Sequence, residues 1–493
     1  MFREPGVPAY LRGPSRGLIS LGLIAFGCAM AYLGTAQSWT LAAVLCFGVA
    51  ITVLAFFRVE WALFGLLVMS NVDGFLKPLL PGPVTLLLKD YFIGLAFARW
   101  LVGVLLARER RPSLRTTVAI PALLFAGYVA AQVLNPNSRG LMLSIAGLRA
   151  WLLWIPIYFI AHDYLRTRGQ VYRFWQVAVA LSACVAAYGI VQYLIGFEHL
   201  YRLSPRFAYY QKMGYWTEEG TKVFRVFSTM VHPGAFGSAM GFMVLAATGL
   251  AFSARETGWR VAALLTVLLA AVALFLSGSR AAMAGTGLGL VAFTLLARRP
   301  ALLLVGGALA LVGLWQSQRV TEGGLESRLA SMTWEYTVQR AMGPFDQGMD
   351  IAMSHPFGRG ISSGIGVSRS ELEKTRRNPV VTARGREIRF IENDFGRALA
   401  ELGVGAVLYV VLLGAAAVGG LLALWRLRSR EDATLAAALL GGALVIAAGL
   451  MVGSSLYIAP GALYFWLAVA TAIRLPDLAE GPSDPARREA RAA

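Results

Sequence analysis

The chain has 493 residues, of which 57% are hydrophobic and 15% charged, with a formal net charge of +18 and a mean hydropathy of +0.61. This composition excludes an ordinary soluble domain and makes lipid the solvent. The basic excess does not read as nucleic-acid binding, because it sits in connections that alternate along the chain, as topology signals do.

After an N-terminal tail, 1–16, apolar runs close to the ~20 residues that cross a bilayer recur along the chain, about fourteen by that length. They centre on 17–36, 39–57, 60–72, 88–107, 118–134, 143–161, 174–195, 228–252, 261–278, 281–297, 301–315, 396–425, 435–454 and 458–473. The pattern predicts an all-α polytopic membrane protein: a bundle over 17–315, a large loop subdomain over 316–395, further membrane helices over 396–473 and a disordered tail over 474–493. The first run follows basic residues and ends at Gly34-Thr35-Ala36, loosely like a signal-peptide cleavage site, but the many spans behind it favour an uncleaved helix.

Basic clusters fall on alternate connections: Arg3, Arg12 and Arg16; Arg108, Arg110, Arg111 and Arg115; Arg166, Arg168 and Arg173; Arg255 and Arg260; Arg298 and Arg299; Arg426, Arg428 and Arg430. The positive-inside rule assigns these and both tails to the cytoplasm, and leaves 73–87, 135–142, 196–227 and 316–395 outside. Cys28, Cys46 and Cys184 lie in apolar runs, so no disulfide is expected.

Two outer segments exceed the ~2–8 residues usual between helices. The first, 196–227, interleaves aromatic residues, Tyr215 and Trp216 among them, with Arg202, Arg206, Lys212 and Lys222. This pattern suits sugar rings and phosphates, and equally an interfacial aromatic belt. The second, 316–395, is mixed in charge and reads as short helices and loops. Its Gly- and Ser-rich stretch Met353–Gly366, which includes Arg359, fits a backbone anion site or a plain surface loop.

Several charges lie where lipid penalises them. Arg280 sits in the turn Ser277-Gly278-Ser279-Arg280 at the start of a helix, where free N–H groups and the helix dipole favour a phosphate; a snorkelling arginine is the alternative. Arg225 repeats the arrangement ahead of His232-Pro233-Gly234, or else is a solvated loop charge. Two such cations would stabilise a departing diphosphate. Glu392-Asn393-Asp394 opens the twelfth span, where capping alone accounts for Asn393 or Asp394, and Arg397 and Glu401 stand i, i+4 on one face. Arg149 interrupts the outer half of the sixth span and is a candidate for the same cavity; Arg99 receives no role. With four histidines and no HExxH or CxxC spacing, neither a catalytic metal nor another cofactor is expected. Turn packing is the simpler role for His232 and His355.

Taken in order, Arg225 to Pro233, Leu276 to Ala282, Ser354 to Gly360, and Glu392-Asn393-Asp394 through Gly403 resemble the O-antigen ligase and polymerase superfamily. The resemblance covers roughly 140–420. It implies a GT-C-like bundle and a metal-independent, inverting glycosyltransferase with its active site on the periplasmic face of a bacterial inner membrane. Its substrates would be a polyprenyl-diphosphate-linked glycan donor and a glycan acceptor, its further partners a flippase and a chain-length regulator. Arg225 and Arg280 match the family's diphosphate-holding arginines. Arg149, Arg359, Arg397, Tyr215, Trp216 and His232 would shape the cavity around them. Many ligases carry His-Asn where this chain reads Glu392-Asn393, and a carboxylate can also accept a hydroxyl proton. That difference favours a repeat-unit polymerase for exopolysaccharide, capsule or O-antigen over a ligase acting on lipid A core or protein. A transporter or flippase of lipid-linked sugars and a scaffold are the readings from other classes.

Overall fold

The computed structural model describes residues 46, 49, 52, 59–79, 83–105, 112–138, 140–208, 215–216, 222–230, 232–300, 306–307, 334–361, 380–381, 387–388, 391, 393–453 and 455–479. Expected features over 1–45, most of 301–333 and 480–493 lie outside these residues, the runs 17–36 and 301–315 among them. The chain divides into two compact units, 1–65 and 66–493. The described part of the first is little more than the opening of one helix, and the second holds the bundle.

In chain order the helices are α1 (Val59–Leu79), α2 (Pro83–Leu105), α3 (Ala119–Ala131), α4 (Leu141–Leu152), α5 (Ile155–Tyr164), α6 (Arg168–Ile195), α7 (Glu198–Leu203), α8 (Pro233–Ser253), α9 (Thr257–Leu276), α10 (Arg280–Ala297), α11 (Trp334–Ser354), α12 (Asp394–Leu402), α13 (Ala406–Arg426), α14 (Arg430–Gly449) and α15 (Gly461–Ala479). Two ribbons of two-residue strands complete the described secondary structure: β1 (Tyr215–Trp216) with β2 (Lys222–Val223), and β3 (Val380–Val381) with β4 (Glu387–Ile388).

Among the described residues seven helices are long and apolar enough to cross a membrane, eight if the bent pair α4–α5 is one span. The chain is a polytopic helical membrane protein. The difference from about fourteen has local causes. Two runs lie outside the described residues, and 39–57 is described at three positions only. α3 is short, α2 carries Lys89, Asp90 and Arg99, and α15 carries Arg474, Pro476 and Asp477 near its end. The sixth expected span is broken, with α4 and α5 meeting at 41° where Pro156 opens the first turn of α5. The twelfth is among the seven, a single apolar stretch over Asp394–Arg426, within which Gly403, at φ 58°, separates α12 from α13 in the left-handed region that favours glycine. The eighth starts at Pro233, with Ser228–Met230 forming a turn ahead of it.

Two expectations about the segments outside the bundle are also corrected. The 316–395 region contains α11, a helix of 21 residues, where only short helices were expected. The C-terminal tail does not begin at 474, because α15 runs on to Ala479; there Asp477 pairs with Arg426 at 2.9 Å and Arg474 at 3.3 Å.

The core is α8, buried along nearly its whole length, against α10 and α14. Small residues let these helices approach closely in the absence of water: a Cβ on Gly289 of α10 would stand 2.6 Å from the Gly441 carbonyl oxygen of α14. On α9 and α13 the apolar residues Leu264, Leu268, Val407, Val411 and Val418 are exposed, as lipid-facing surfaces require.

The bundle has two distinct ends. At one, Arg168 meets Asp432 at 2.6 Å, Arg255 meets Glu431, and the buried Asp163 carboxylate accepts from Trp100 Nε1, Ser113 N and Ser113 Oγ. These contacts gather the basic connections. At the other end Ser204 Oγ donates to the Pro78 carbonyl, Thr229 Oγ1 to the Asn71 carbonyl, and Asn135 Nδ2 to the Gly358 carbonyl. Through their described residues these bonds join 73–87 to 196–227 and 135–142 to 316–395.

Candidate functional site

At that second end, α9 and α10 are joined by the Ser277-Gly278-Ser279 turn. Gly278 has φ 58°, and its N–H donates to the Phe275 carbonyl at 2.9 Å. Ser277 Oγ donates to the Leu274 carbonyl at 2.6 Å and accepts from Ser279 N at 3.2 Å. The turn is thus rigid before any ligand arrives.

Arg225 lies along it: its Nε donates to the Ser277 carbonyl at 2.9 Å, and the next N–H, of Val226, donates to the Leu276 carbonyl at 3.3 Å. Arg280, the first residue of α10, follows three residues after the carbonyl that holds Arg225. The two motif arginines, far apart in sequence, share one turn.

What holds the Arg225 strand is a buried amide. Gln192 Oε1 accepts from the N–H groups of Phe227 at 3.2 Å and Ser228 at 2.9 Å, and Ser228 Oγ donates to the Val185 carbonyl at 2.7 Å. Ser228 itself has φ 53°, a costly conformation for a residue with a Cβ, which these bonds offset. On the other side Phe75 N donates to the Thr229 carbonyl at 3.0 Å.

His232 caps α8, its Nδ1 accepting from Gly234 N at 2.9 Å, so the expected turn-packing role is what it performs. The ring touches the surface yet is crowded by protein atoms; that burial, with the Arg225 charge second, pushes its pKa down to about 4. It therefore stays neutral and adds no positive charge at neutral pH.

α12 is nailed to the segment after α14. Asn393 is its N-cap, with Oδ1 accepting from Gly396 N at 2.7 Å, while Nδ2 donates to the carbonyls of Ala341 and Met451. Asp394 is no cap: it is buried, and its Oδ2 accepts from Ser455 N at 3.1 Å and Leu456 N at 3.3 Å. Glu392 falls outside the described residues. Arg397 and Glu401 do pair, at 3.1 Å, with both side chains 0% exposed. Trp151 Nε1 donates to Glu401 Oε2 at 2.8 Å, and the guanidinium lies over the rings of Trp151 and Tyr457.

Arg149 does not join the Ser277–Arg280 turn. It grips Asp90, Nη2 to Oδ1 at 3.0 Å and Nε to Oδ2, and lines a cavity with Lys89, Trp154, Arg397 and Tyr457. Lys89 is bound in turn to Asp73 at 3.1 Å, which also binds Lys77 at 2.6 Å. Asp73 stands two residues from Asn71, whose carbonyl receives Thr229, so the cavity and the Arg225 turn are neighbours through α1.

Of the two readings for Met353–Gly366, the described part is packing. Gly358 N donates to the His355 carbonyl at 2.7 Å and Arg359 N to the Ala400 carbonyl at 3.0 Å, so these N–H groups are engaged by protein. Meanwhile Gln132 Nε2 donates to the Phe357 carbonyl at 2.8 Å. Arg359 therefore sits beside the end of α12, held by its backbone. Tyr215 and Trp216 form β1, paired with Val223 and Lys222.

Sequence reasoning missed Gln192, Lys89, Asp90, Asp73, Trp151 and Tyr457. The adjacent opposite charges Lys89 and Asp90 within an apolar helix were the available signal; nothing marked Gln192 beyond one amide in an apolar run. Compared with known proteins, the chain matches no family model and no curated sequence.

Proposed function

We propose that this chain is a GT-C-type membrane glycosyltransferase that polymerises polyprenyl-diphosphate-linked repeat units on the periplasmic face of a bacterial inner membrane. The observation that carries the reading is the bond from Arg225 Nε to the Ser277 carbonyl, which brings the first motif arginine to the turn that ends in the second. Two fixed cations at the start of a helix suit a diphosphate.

In this reading Arg225 and Arg280 hold the diphosphate of the donor. The acceptor hydroxyl oxygen attacks the anomeric carbon from the opposite face. The new C–O bond forms while the bond to the diphosphate oxygen breaks with its electrons, inverting the centre. The hydroxyl proton passes to a base, for which Glu392 is the candidate, and polyprenyl diphosphate departs with its charge neutralised by the arginines.

The test is polymer length on gels, in cells lacking the native gene and complemented with wild type, Arg280→Ala or Glu392→Gln at matched membrane abundance. Long chains from wild type, with single units at the outer face from Arg280→Ala, are expected. Equal chains from all three, or units trapped inside without the protein, overturn the reading and favour transport. Glycan joined to lipid A core without lengthening identifies a ligase.

A further inference from the structure

A cavity lies between α2, α4, the α4–α5 junction, α12 and Tyr457 of the segment after α14. Its volume is about 90 Å³, several times the ~10–15 Å³ that a single water requires. Three of its lining residues are cations, Lys89, Arg149 and Arg397, and none is an anion. The carboxylates that pair with them, Asp73, Asp90 and Glu401, are not among its lining residues, so only the positive partner of each pair faces the space.

Arg397 is the decisive residue. Its side chain is 0% exposed; Glu401 and Tyr457 approach the guanidinium, the rings of Trp151 and Tyr457 cover it at 5.0 Å and 4.3 Å, and none of its three nitrogens makes a well-aligned hydrogen bond among the described residues. A buried guanidinium with open N–H groups is costly and is not needed for packing, which an apolar residue would do as well. Two N–H-bearing nitrogens side by side form the fork that an oxyanion accepts. Exposure falls from 39% at Arg149 to 12% at Lys89 and 0% at Arg397, so the cavity opens at Arg149 and closes on Arg397.

We infer that this cavity is an anion-binding subsite, separate from the Arg225–Arg280 turn, which takes a compact oxyanion of the substrate, a phosphoryl or a carboxylate group. The identity of that substrate as a lipid-linked glycan rests on the proposed function; the anion site does not. The group has two sources, the diphosphate of a second lipid-linked glycan or an acidic substituent on the sugar.

Titration calorimetry on the purified full-length protein in detergent, at low salt, with inorganic diphosphate, glucuronate and glucose as probes, tests this without any glycosyl transfer. Binding of at least one anion but not glucose is expected. It should persist in the Arg225→Ala/Arg280→Ala double variant and, with that double variant as background for every cavity variant, weaken at least about tenfold in Lys89→Gln/Arg149→Gln. Preference for diphosphate assigns the lipid carrier as source, preference for glucuronate the sugar. Because Arg397→Met alone strands Glu401, the charge-balanced Arg397→Met/Glu401→Gln is the matched variant, and it too should lose the anion while remaining monodisperse. Affinity unchanged in both cavity variants, or no anion binding to the Arg225→Ala/Arg280→Ala protein, overturns the inference. Loss of polymer with anion binding intact would overturn the proposed function alone.

Discussion

Gln192 is one buried amide near the C-terminal end of α6, among apolar neighbours, yet it fixes the backbone that presents Arg225. Gln192→Leu keeps the size of the side chain and strands two buried N–H groups, which costs on the order of 2–6 kcal/mol. Thermal denaturation in detergent should show the loss, with a fall in any activity that depends on Arg225. His232 gives a pH-dependent prediction at the same scale. Its pKa in the folded chain, about 4, lies below the ordinary 6.5, so the unfolded chain binds its proton first as pH falls. Its contribution is complete above pH 6.5 and declines toward pH 4. His232→Asn, which retains a capping acceptor, should flatten that part of the stability profile; an unchanged slope would assign it to other groups. The i, i+4 rule made the Arg397–Glu401 pair readable in sequence, because both partners lie on one helix. Lys89 and Asp73 were not readable as a pair, because helix packing, not spacing, brings them together.

At the scale of elements, α8 and the Arg280 turn are fitted to each other through a missing side chain. A Cβ on Gly237 would stand 2.5 Å from Ser277 Oγ and 2.9 Å from Ser279 Cβ. Gly237→Ala should therefore destabilise by about 1–3 kcal/mol through overpacking, and Ser277→Ala in the same chain should restore part of it, as contacting residues couple. Equal and additive losses in a melting series would show that the two do not touch. Hydropathy located apolar helices that satisfy their own backbone in lipid, seven of them long enough to cross. It did not show the bend of the sixth run, where Pro156 in the first turn of α5 was the available signal, or the change of direction at Gly403, where Tyr128 donates to the Leu402 carbonyl and Val404 N to the Pro356 carbonyl.

For the whole molecule, the Ser204–Pro78 and Asn135–Gly358 bonds on one side, with the Arg168–Asp432 and Arg255–Glu431 pairs on the other, give an orientation that can be tested directly. In a cysteine-free background, a cysteine at Ser204 should react with an impermeant thiol reagent added to intact spheroplasts, and one at Arg428 only after permeabilisation. The reverse pattern would invert the orientation and move the proposed site to the cytoplasm. Charge alternation in the sequence is what predicts this orientation; which charges form the cavity was not legible there, because Arg149, Lys89 and Arg397 come from three separate runs.

The Pro356–Gly360 segment and residues Ile391 and Asn393 both fasten to α11 and α12: Arg359 N donates to the Ala400 carbonyl, Asn393 Nδ2 donates to the Ala341 carbonyl, and Ile391 packs with Ile351 and Ala400. Two anchors on one patch fix where the chain leaves the bundle after Ile361 and returns to it at Ile391, both buried. Doubling the length of chain between them costs only ~0.6 kcal/mol in closure entropy. A reporter domain or affinity tag grafted between the two anchors is therefore expected to leave the transmembrane scaffold in shape, which the melting temperature in detergent would check.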